Sequence, residues 1–218
     1  MSSPAPFSRI ARGDRTLIQI VDTAMAEAVR RSGPWIACRQ GCTPCCIGPF
    51  PITQLDALRL RAGWEELAAR DPARADRVRR RAERFVARFA AEFPGDPATG
   101  ILEETEQAEA RFAAFAEDEP CPALDPAAGV CDLYAARPLT CRTFGPAVRL
   151  GGEAVGICEL CYQGATEEEI AACEVDPDPD DLEGALLAEL AEMDGGPRGQ
   201  TIVAFALLDG NPNRGGES

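Results

Sequence analysis

Between Cys38 and Cys46 the chain reads Cys-Arg-Gln-Gly-Cys-Thr-Pro-Cys-Cys, four thiols within nine residues. A segment this dense in sulfur folds as a disulfide staple, as a redox pair, or as a socket for metal. The rest of the sequence decides among them. The amino-terminal stretch MSSPAPFSRIARGDRTLIQI contains no apolar run resembling a secretory leader. The longest uninterrupted apolar run, Ile202 to Leu208, is far shorter than the ~20 residues of a membrane span. A cytoplasmic protein that does not enter the membrane is therefore expected. A reducing compartment turns ten cysteines away from disulfides and toward metal binding or catalysis. Neighbours such as Cys45 and Cys46 also suit a mutual disulfide poorly, because that bond has demanding geometry.

The donor inventory narrows the chemistry further. The chain has no histidine, and all 22 of its basic residues are arginine. No imidazole is present for proton transfer or metal ligation, and no lysine for a Schiff base. Any metal must be held by thiolate, with carboxylate as an auxiliary. A sulfur-rich set selects zinc, iron–sulfur clusters or copper(I) and argues against magnesium and calcium. Net charge is −14, unevenly spread: residues 1–93 carry 16 arginines and 10 acids, residues 94–218 carry 6 arginines and 26 acids. So acidic a chain is a poor candidate for nucleic-acid binding.

Periodicity predicts a mainly α fold, a small helical domain organised around a loop-rich cysteine centre, with one short β-hairpin. Residues 14–31 place Leu17, Ile20, Val21, Ala24, Met25 and Ala28 at helical spacing before Ser32-Gly33-Pro34. Thr53 and Asp56 form a variant capping box over a short helix. Asp71-Pro72 opens another that runs to about Phe93. Its arginine face (Arg74, Arg77, Arg80, Arg81, Arg84, Arg88) is either a solvated surface or a strip for an acidic partner. Residues 101–117 are expected as a helix with Leu102, Thr105, Ala108, Phe112 and Phe115 inward. Residues 147–157 read as a hairpin turning at Gly151-Gly152. Thr166 with Glu169 is a second capping box, over a helix containing Cys173. A last helix covers 181–193 and stops at Gly195-Gly196, and Ile202–Leu208 is either strand or buried helix. Residues 1–175 are expected as the cysteine-cluster domain with its N-terminal helices. Residues 176–218 then supply an acidic linker and a C-terminal helix packed on the same domain.

The candidate ligands are Cys38, Cys42, Cys45 and Cys46 in the first cluster, then Cys121, Cys131 and Cys141, then Cys158 and Cys161. Cys173 falls inside a helix and reads as a small buried hydrophobe. Around the second cluster the chain runs Cys-Pro-Ala-Leu, then Cys-Asp-Leu-Tyr, then Arg-Pro-Leu-Thr-Cys-Arg-Thr-Phe. Together with Cys42, Cys45 and Cys46 this resembles the CxxCxxCC cysteine-cluster family, a zinc- or iron-chelating domain grouped with flagellin lysine N-methylases. The matching residues are Cys121, Leu124, Cys131, Tyr134, Arg137, Pro138, Cys141, Arg142 and Phe144, and the resemblance spans 38–161. The family's first gap has two residues where this chain has three, which leaves Cys38 outside the strict pattern. Cys158 and Cys161 compete for its further cysteine.

Metal bound by four thiolates retains negative charge, which Arg137 and Arg142 could offset from beside the cysteines; the alternative for both is pairing with Asp132 or other acids. Tyr134 reads as a core aromatic. Three closely spaced cysteines with a remote fourth suit a 4Fe–4S cluster, which is favoured; a zinc or iron ion is the alternative. The functional expectation is a metal-binding cysteine-cluster protein, its partners metal ions and a protein or redox partner. The resemblance also implies an iron–sulfur-dependent protein lysine N-methyltransferase, and a structural zinc interaction module is a third possibility. The Cys38-x3-Cys42-x2-Cys45 spacing equals that of radical S-adenosylmethionine enzymes, but the strand–helix repeats of their barrel are missing.

Overall fold

Helix-forming runs rich in alanine, leucine and arginine, punctuated by glycine and proline, give a mainly α architecture. The computed structural model describes residues 6–39, 41–193 and 196–208. Its helices are α1 (Pro6–Ser32), α2 (Gln54–Arg70), α3 (Pro72–Phe89) and α4 (Glu106–Ala113), followed by α5 (Leu139–Thr143), α6 (Glu167–Cys173), α7 (Leu182–Glu192) and α8 (Val203–Leu208). The expected hairpin is present as β5 (Val148–Leu150) and β6 (Glu153–Val155), with Gly151 and Gly152 both at positive φ in its turn. Two smaller antiparallel pairs join it: β1 (Gly95–Asp96) with β2 (Ile101–Leu102), and β3 (Leu124–Asp125) with β4 (Val130–Cys131). No described helix is long and apolar enough to cross a membrane.

The chain divides into two compact units, Met1–Cys45 with Leu139–Pro197, and Cys46–Pro138 with Arg198–Ser218. In the first unit α1 is the spine. Ile10, Leu17, Val21, Met25 and Ala28 fall on one face and are buried there. Helix α7 packs on this spine where Gly13 faces Leu186; a Cβ at Gly13 would stand 2.5 Å from that leucine's Cδ2. Helix α5 is fastened to α1 by Arg142, whose guanidinium donates to both carboxylate oxygens of Asp22 at 2.7 and 2.9 Å. Helix α1 ends at Gly33, which takes the positive φ (+50°) that its stop requires.

The second unit is a three-helix layer of α2, α3 and α8. Ile52, Leu60, Leu67, Val78, Ala82 and Val203 form its core. Beside it Phe85, Phe93, Phe115 and Phe205 stack at centroid spacings of 4.6–6.2 Å. The capping box of Thr53 and Asp56 and the Asp71 cap of α3 form as expected. Helix α2 runs on to Arg70, longer than its sequence suggested, because Leu67 is also buried against α3. Helix α3 stops at Phe89 and passes into a single 3₁₀ turn. The helix expected over 101–117 covers only 106–113: Leu102 is taken by β2, and the Thr105 hydroxyl is spent capping α4, accepting from the Ala108 N–H. Val203–Leu208 is helical, buried at Val203 through Leu207. Gly195 lies outside the described residues; α7 closes at Glu192.

Gly63 on α2 lets the turn 134–136 sit flush against the helix, since a Cβ there would stand 2.3 Å from the Cβ of Ala136. Overpacking of this kind costs roughly 1–3 kcal/mol. Gly63→Ala is expected to lower the unfolding free energy by that amount, and the denaturation midpoint with it, although alanine favours helix. An unchanged or raised midpoint would show that the turn yields freely.

Candidate metal centre

In the first unit two tight turns carry the sulfurs. Gly41, at φ +83°, lets the chain fold back so that the Cys42 N–H donates to the Arg39 carbonyl at 2.9 Å. A matching turn closes with Cys161 N–H donating to Cys158 O at 2.8 Å. The two turns are brought alongside each other by the next residue, whose N–H donates to the Trp35 carbonyl at 2.8 Å. That residue is Tyr162, buried and at φ +55°. Its hydroxyl lies 2.5 Å from the Ser32 Oγ and accepts from the Ala147 N–H at 3.0 Å. Tyr162 thus locks the Cys158–Cys161 turn to the end of α1. No spacing or motif in the sequence singles it out.

Cys38 consequently has the thiols of Cys161, Cys158 and Cys42 as neighbours, and Cys158 has those of Cys161 and Cys42. Cys38 as a residue is exposed, yet its sulfur is turned inward, 2.8 Å from where a Cβ on Gly145 would be. Gly145 sits at φ +127° and forms a cradle that any side chain would fill. Burial, then the neighbouring Cys161, push the Cys38 thiol up to about 12. Burial likewise raises Cys158, while the Leu160 N–H donated to its sulfur opposes the shift.

The second unit holds another group. Residues 46–48 run antiparallel to 119–121. Cys121 N–H donates to Cys46 O at 2.8 Å, Gly48 N–H donates to Glu119 O at 2.9 Å, and Ile47 bridges Pro120. Cys46 and Cys121 are therefore cross-strand partners. The chain turns over the buried Pro122, the Leu124 N–H donating to the Cys121 carbonyl at 2.9 Å, and the nearby Ala123 and Leu124 N–H groups favour the Cys121 thiolate. Cys131, on β4 opposite Leu124, accepts from Leu133 N–H in the same way. Burial pushes Cys121 up to about 12 and raises Cys131. Positive charge works against both shifts, from Arg81 at Cys121 and from Arg137 and Arg74 at Cys131. Arg74 and Arg81 also converge on the Asp132 carboxylate, 1% exposed.

The nine candidate thiols thus regroup across the sequence clusters. Cys38 and Cys42 neighbour Cys158 and Cys161, while Cys46 is paired through its backbone with Cys121, whose thiol neighbours Cys131. Cys45 and Cys141 are half-buried in the first unit, Cys141 on α5, and the boundary between units falls between Cys45 and Cys46. None of the ten forms a disulfide. Cys173 is buried and donates its thiol to the Arg31 carbonyl at 3.5 Å, as a core residue would. Among the described residues no three cysteine or carboxylate side chains already stand as a closed metal-binding group. Of the two arginines, Arg137 lies near Cys131, and Arg142 is buried against Asp22. Tyr134 departs from expectation: it is 64% exposed, its ring covered by the Arg137 guanidinium 3.9 Å from the centroid.

The donor set fits a thiophilic metal. In the first unit the donors beside Cys38 are the thiols of Cys42, Cys158 and Cys161, and Gly145 leaves room for the Cys38 sulfur. A helical scaffold presenting convergent thiols through short knuckle-like loops belongs to the class of thiolate metal-binding domains. A family model confirms the class. It covers residues 37–174, more than half of the chain, and is described as "CxxCxxCC: Putative zinc- or iron-chelating domain". This chain belongs to that family, and metal-ion binding is the property the family describes. No curated protein and no solved structure gave a significant match.

Raised thiol pKa values have a sign that can be checked. Below about pH 9 both folded and unfolded thiols are protonated, and their contribution to stability is complete. As pH climbs toward 12 the unfolded thiols ionise first and that stability is lost. The metal-free chain is expected to weaken steadily over this interval. An ultraviolet thiolate titration of the metal-free chain should find Cys38 and Cys121 still protonated at pH 9, where ordinary thiols are about half ionised.

Proposed function

We propose that the first unit holds a single metal ion in a closed tetrathiolate site made by Cys38, Cys42, Cys158 and Cys161, and that the ion organises the loops bearing them. The observation that carries the reading is the meeting of four thiols from two separate turns, tied together by the Tyr162 N–H to Trp35. Two separated pairs are the arrangement of closed zinc sites, in which the sulfurs stand about 2.3 Å from the ion. This grouping favours one zinc or iron ion over the larger 4Fe–4S cube. All four positions are filled by protein, so the ion's task is to hold structure, with outer-sphere electron transfer open to it only as iron. A structural zinc in a small peptide is worth roughly 10–16 kcal/mol, as much as the whole ~5–15 kcal/mol of a typical domain.

The 4Fe–4S reading keeps one observation in its favour: Cys45 belongs to the same unit and follows Cys42 by three positions, giving a closely spaced triplet with a remote fourth. Metal and acid-labile sulfide analysis of protein isolated without oxygen separates the two. One zinc or iron per site without sulfide is expected. Cys38→Ser and Cys158→Ser should each lose one equivalent of metal, whereas Cys173→Ser should retain the wild-type content. Four irons with four sulfides would establish the cube instead. Retention of metal by Cys158→Ser would remove the tetrathiolate site. The lysine methyl-transfer reading, which comes from the family resemblance, requires binding of S-adenosylmethionine, measurable by calorimetry on the same metal-loaded protein.

A further inference from the structure

In the second unit, residues 121–132 are fastened to α3 by contacts that involve no sulfur. We propose that Asp132 is the centre of a metal-independent latch, and so a positioning residue for the thiols of Cys121 and Cys131. Removing metal then loosens the cysteine turns of the first unit and leaves this loop folded. The contrast with the first unit rests on the metal reading above; the latch does not.

The latch joins residues far apart in sequence. Arg74 and Arg81 are two turns apart on α3, so their side chains leave one face about 10.5 Å apart along the axis. They close on a single carboxylate: Arg74 Nε donates to one oxygen of Asp132 and Arg81 Nη2 to the other. The Asp132 side chain is 1% exposed, so charge-assisted bonds stand where its hydration was. Arg81 makes a further bond, its Nε donating to the Pro122 carbonyl at 2.7 Å. One arginine thus holds both ends of the loop, Pro122 at its start and Asp132 at its close. Removing one partner of such a buried group is costly, because an uncompensated charge stays behind.

The loop between those ends closes on itself. Asp132 N–H donates to Ala123 O at 2.7 Å, next to the paired strands β3 and β4. At the tip the Asp125 carboxylate accepts from the Ala127 N–H at 3.0 Å, and its carbonyl accepts from the Gly129 N–H at 2.8 Å. Gly129 takes the positive φ (+63°) of that turn. Ala123 and Leu133, on either side of the latch, are buried in the core of the three-helix layer. Backbone bonds, apolar anchors and one buried ion triad therefore shape the frame that carries Cys121 and Cys131. The Cys158–Cys161 turn of the first unit is tied differently, by the neutral hydrogen bonds of Tyr162 to Trp35 and Ala147. Neutral bonds of this kind are roughly half as strong as charge-assisted ones.

Hydrogen exchange of the full chain, read by mass spectrometry before and after EDTA treatment under reducing, oxygen-free conditions, tests this. Amides of residues 121–132 are expected to exchange equally slowly in both states, while those of 156–163 speed up roughly tenfold or more once metal is gone. In the metal-free chain, Asp132→Asn should speed exchange across 121–132, and alkylation of Cys121 and Cys131, by roughly tenfold or more. Exchange in α2 should keep its wild-type rate, which separates local positioning from a general loss of stability. Arg80→Gln, whose partner Asp76 is exposed, should change neither readout. Arg74→Gln keeps the Arg81 bonds and should give a milder loosening of the same loop, so the test survives if Asp132→Asn does not fold. A 121–132 loop that opens on metal removal as readily as 156–163 would overturn the proposal. So would wild-type exchange there in both Asp132→Asn and Arg74→Gln. A chain isolated without metal, yet slow to exchange at 121–132 until Asp132 is replaced, would sink the metal reading and leave the latch standing.

Discussion

Bringing several thiols together is unfavourable until something positive joins them, and this constraint governs the molecule. Buried sulfur resists ionisation because the thiolate loses its water, and each neighbouring thiolate adds repulsion. Both effects act on Cys38, and burial dominates at Cys121. A chain without histidine or lysine cannot relieve the tension with imidazole or ammonium. Only arginine, backbone N–H groups and a metal ion remain. The two units distribute these remedies unequally. In the first, thiols neighbour thiols, and the proposed ion would supply the counter-charge. In the second, arginines and amide donors already meet the sulfurs part of the way.

The helices serve this arrangement by fixing loop ends. Helix α1 spans the first unit, and its carboxyl end is where Ser32, Tyr162 and Trp35 assemble. The Arg142–Asp22 pair holds α5, and with it the segment that leads to Gly145, against the same helix. In the second unit, α3 supplies both Arg74 and Arg81, so the face that looked like a solvated strip is partly spent on the buried Asp132. Two guanidiniums on one desolvated carboxylate make it costly to remove either partner, because an uncompensated charge would stay behind. Elsewhere the same helix makes ordinary exposed pairs, Arg80 with Asp76 and Arg88 with Glu119.

Local chemistry was legible in the sequence, and long-range pairing was not. Caps at Thr53, Asp71 and Thr166, and the Gly151-Gly152 turn, depend on residues a few positions apart, and all form as expected. The metal-binding class and the family were readable too, because the cysteine spacing and the Arg-Pro-Leu-Thr-Cys-Arg block are themselves local. What the sequence hid was which sulfurs meet. Cys38 is brought to Cys161 by the backbone of Tyr162, and Cys46 to Cys121 by a two-strand register, neither of which leaves a periodic trace. Tyr134, expected in the core, is exposed, and Tyr162, which no sequence signal marked, is buried, for a related reason. Burial of an aromatic depends on what the fold places above it: Arg137 covers the first, and Ser32 and Ala147 bond the hydroxyl of the second. The helix over 101–117 shortened because Leu102 found a strand partner, which apolar spacing alone cannot reveal.

The central claim is that thiolates alone hold the metal. X-ray absorption at the edge of the metal that co-purifies with the anaerobically isolated chain tests this directly. An all-sulfur first shell near 2.3 Å, without a nitrogen or oxygen contribution at the first-unit site, is the expected result. A first shell dominated by oxygen or nitrogen at about 2.0–2.2 Å, or a chain that carries no zinc or iron at all, would contradict it.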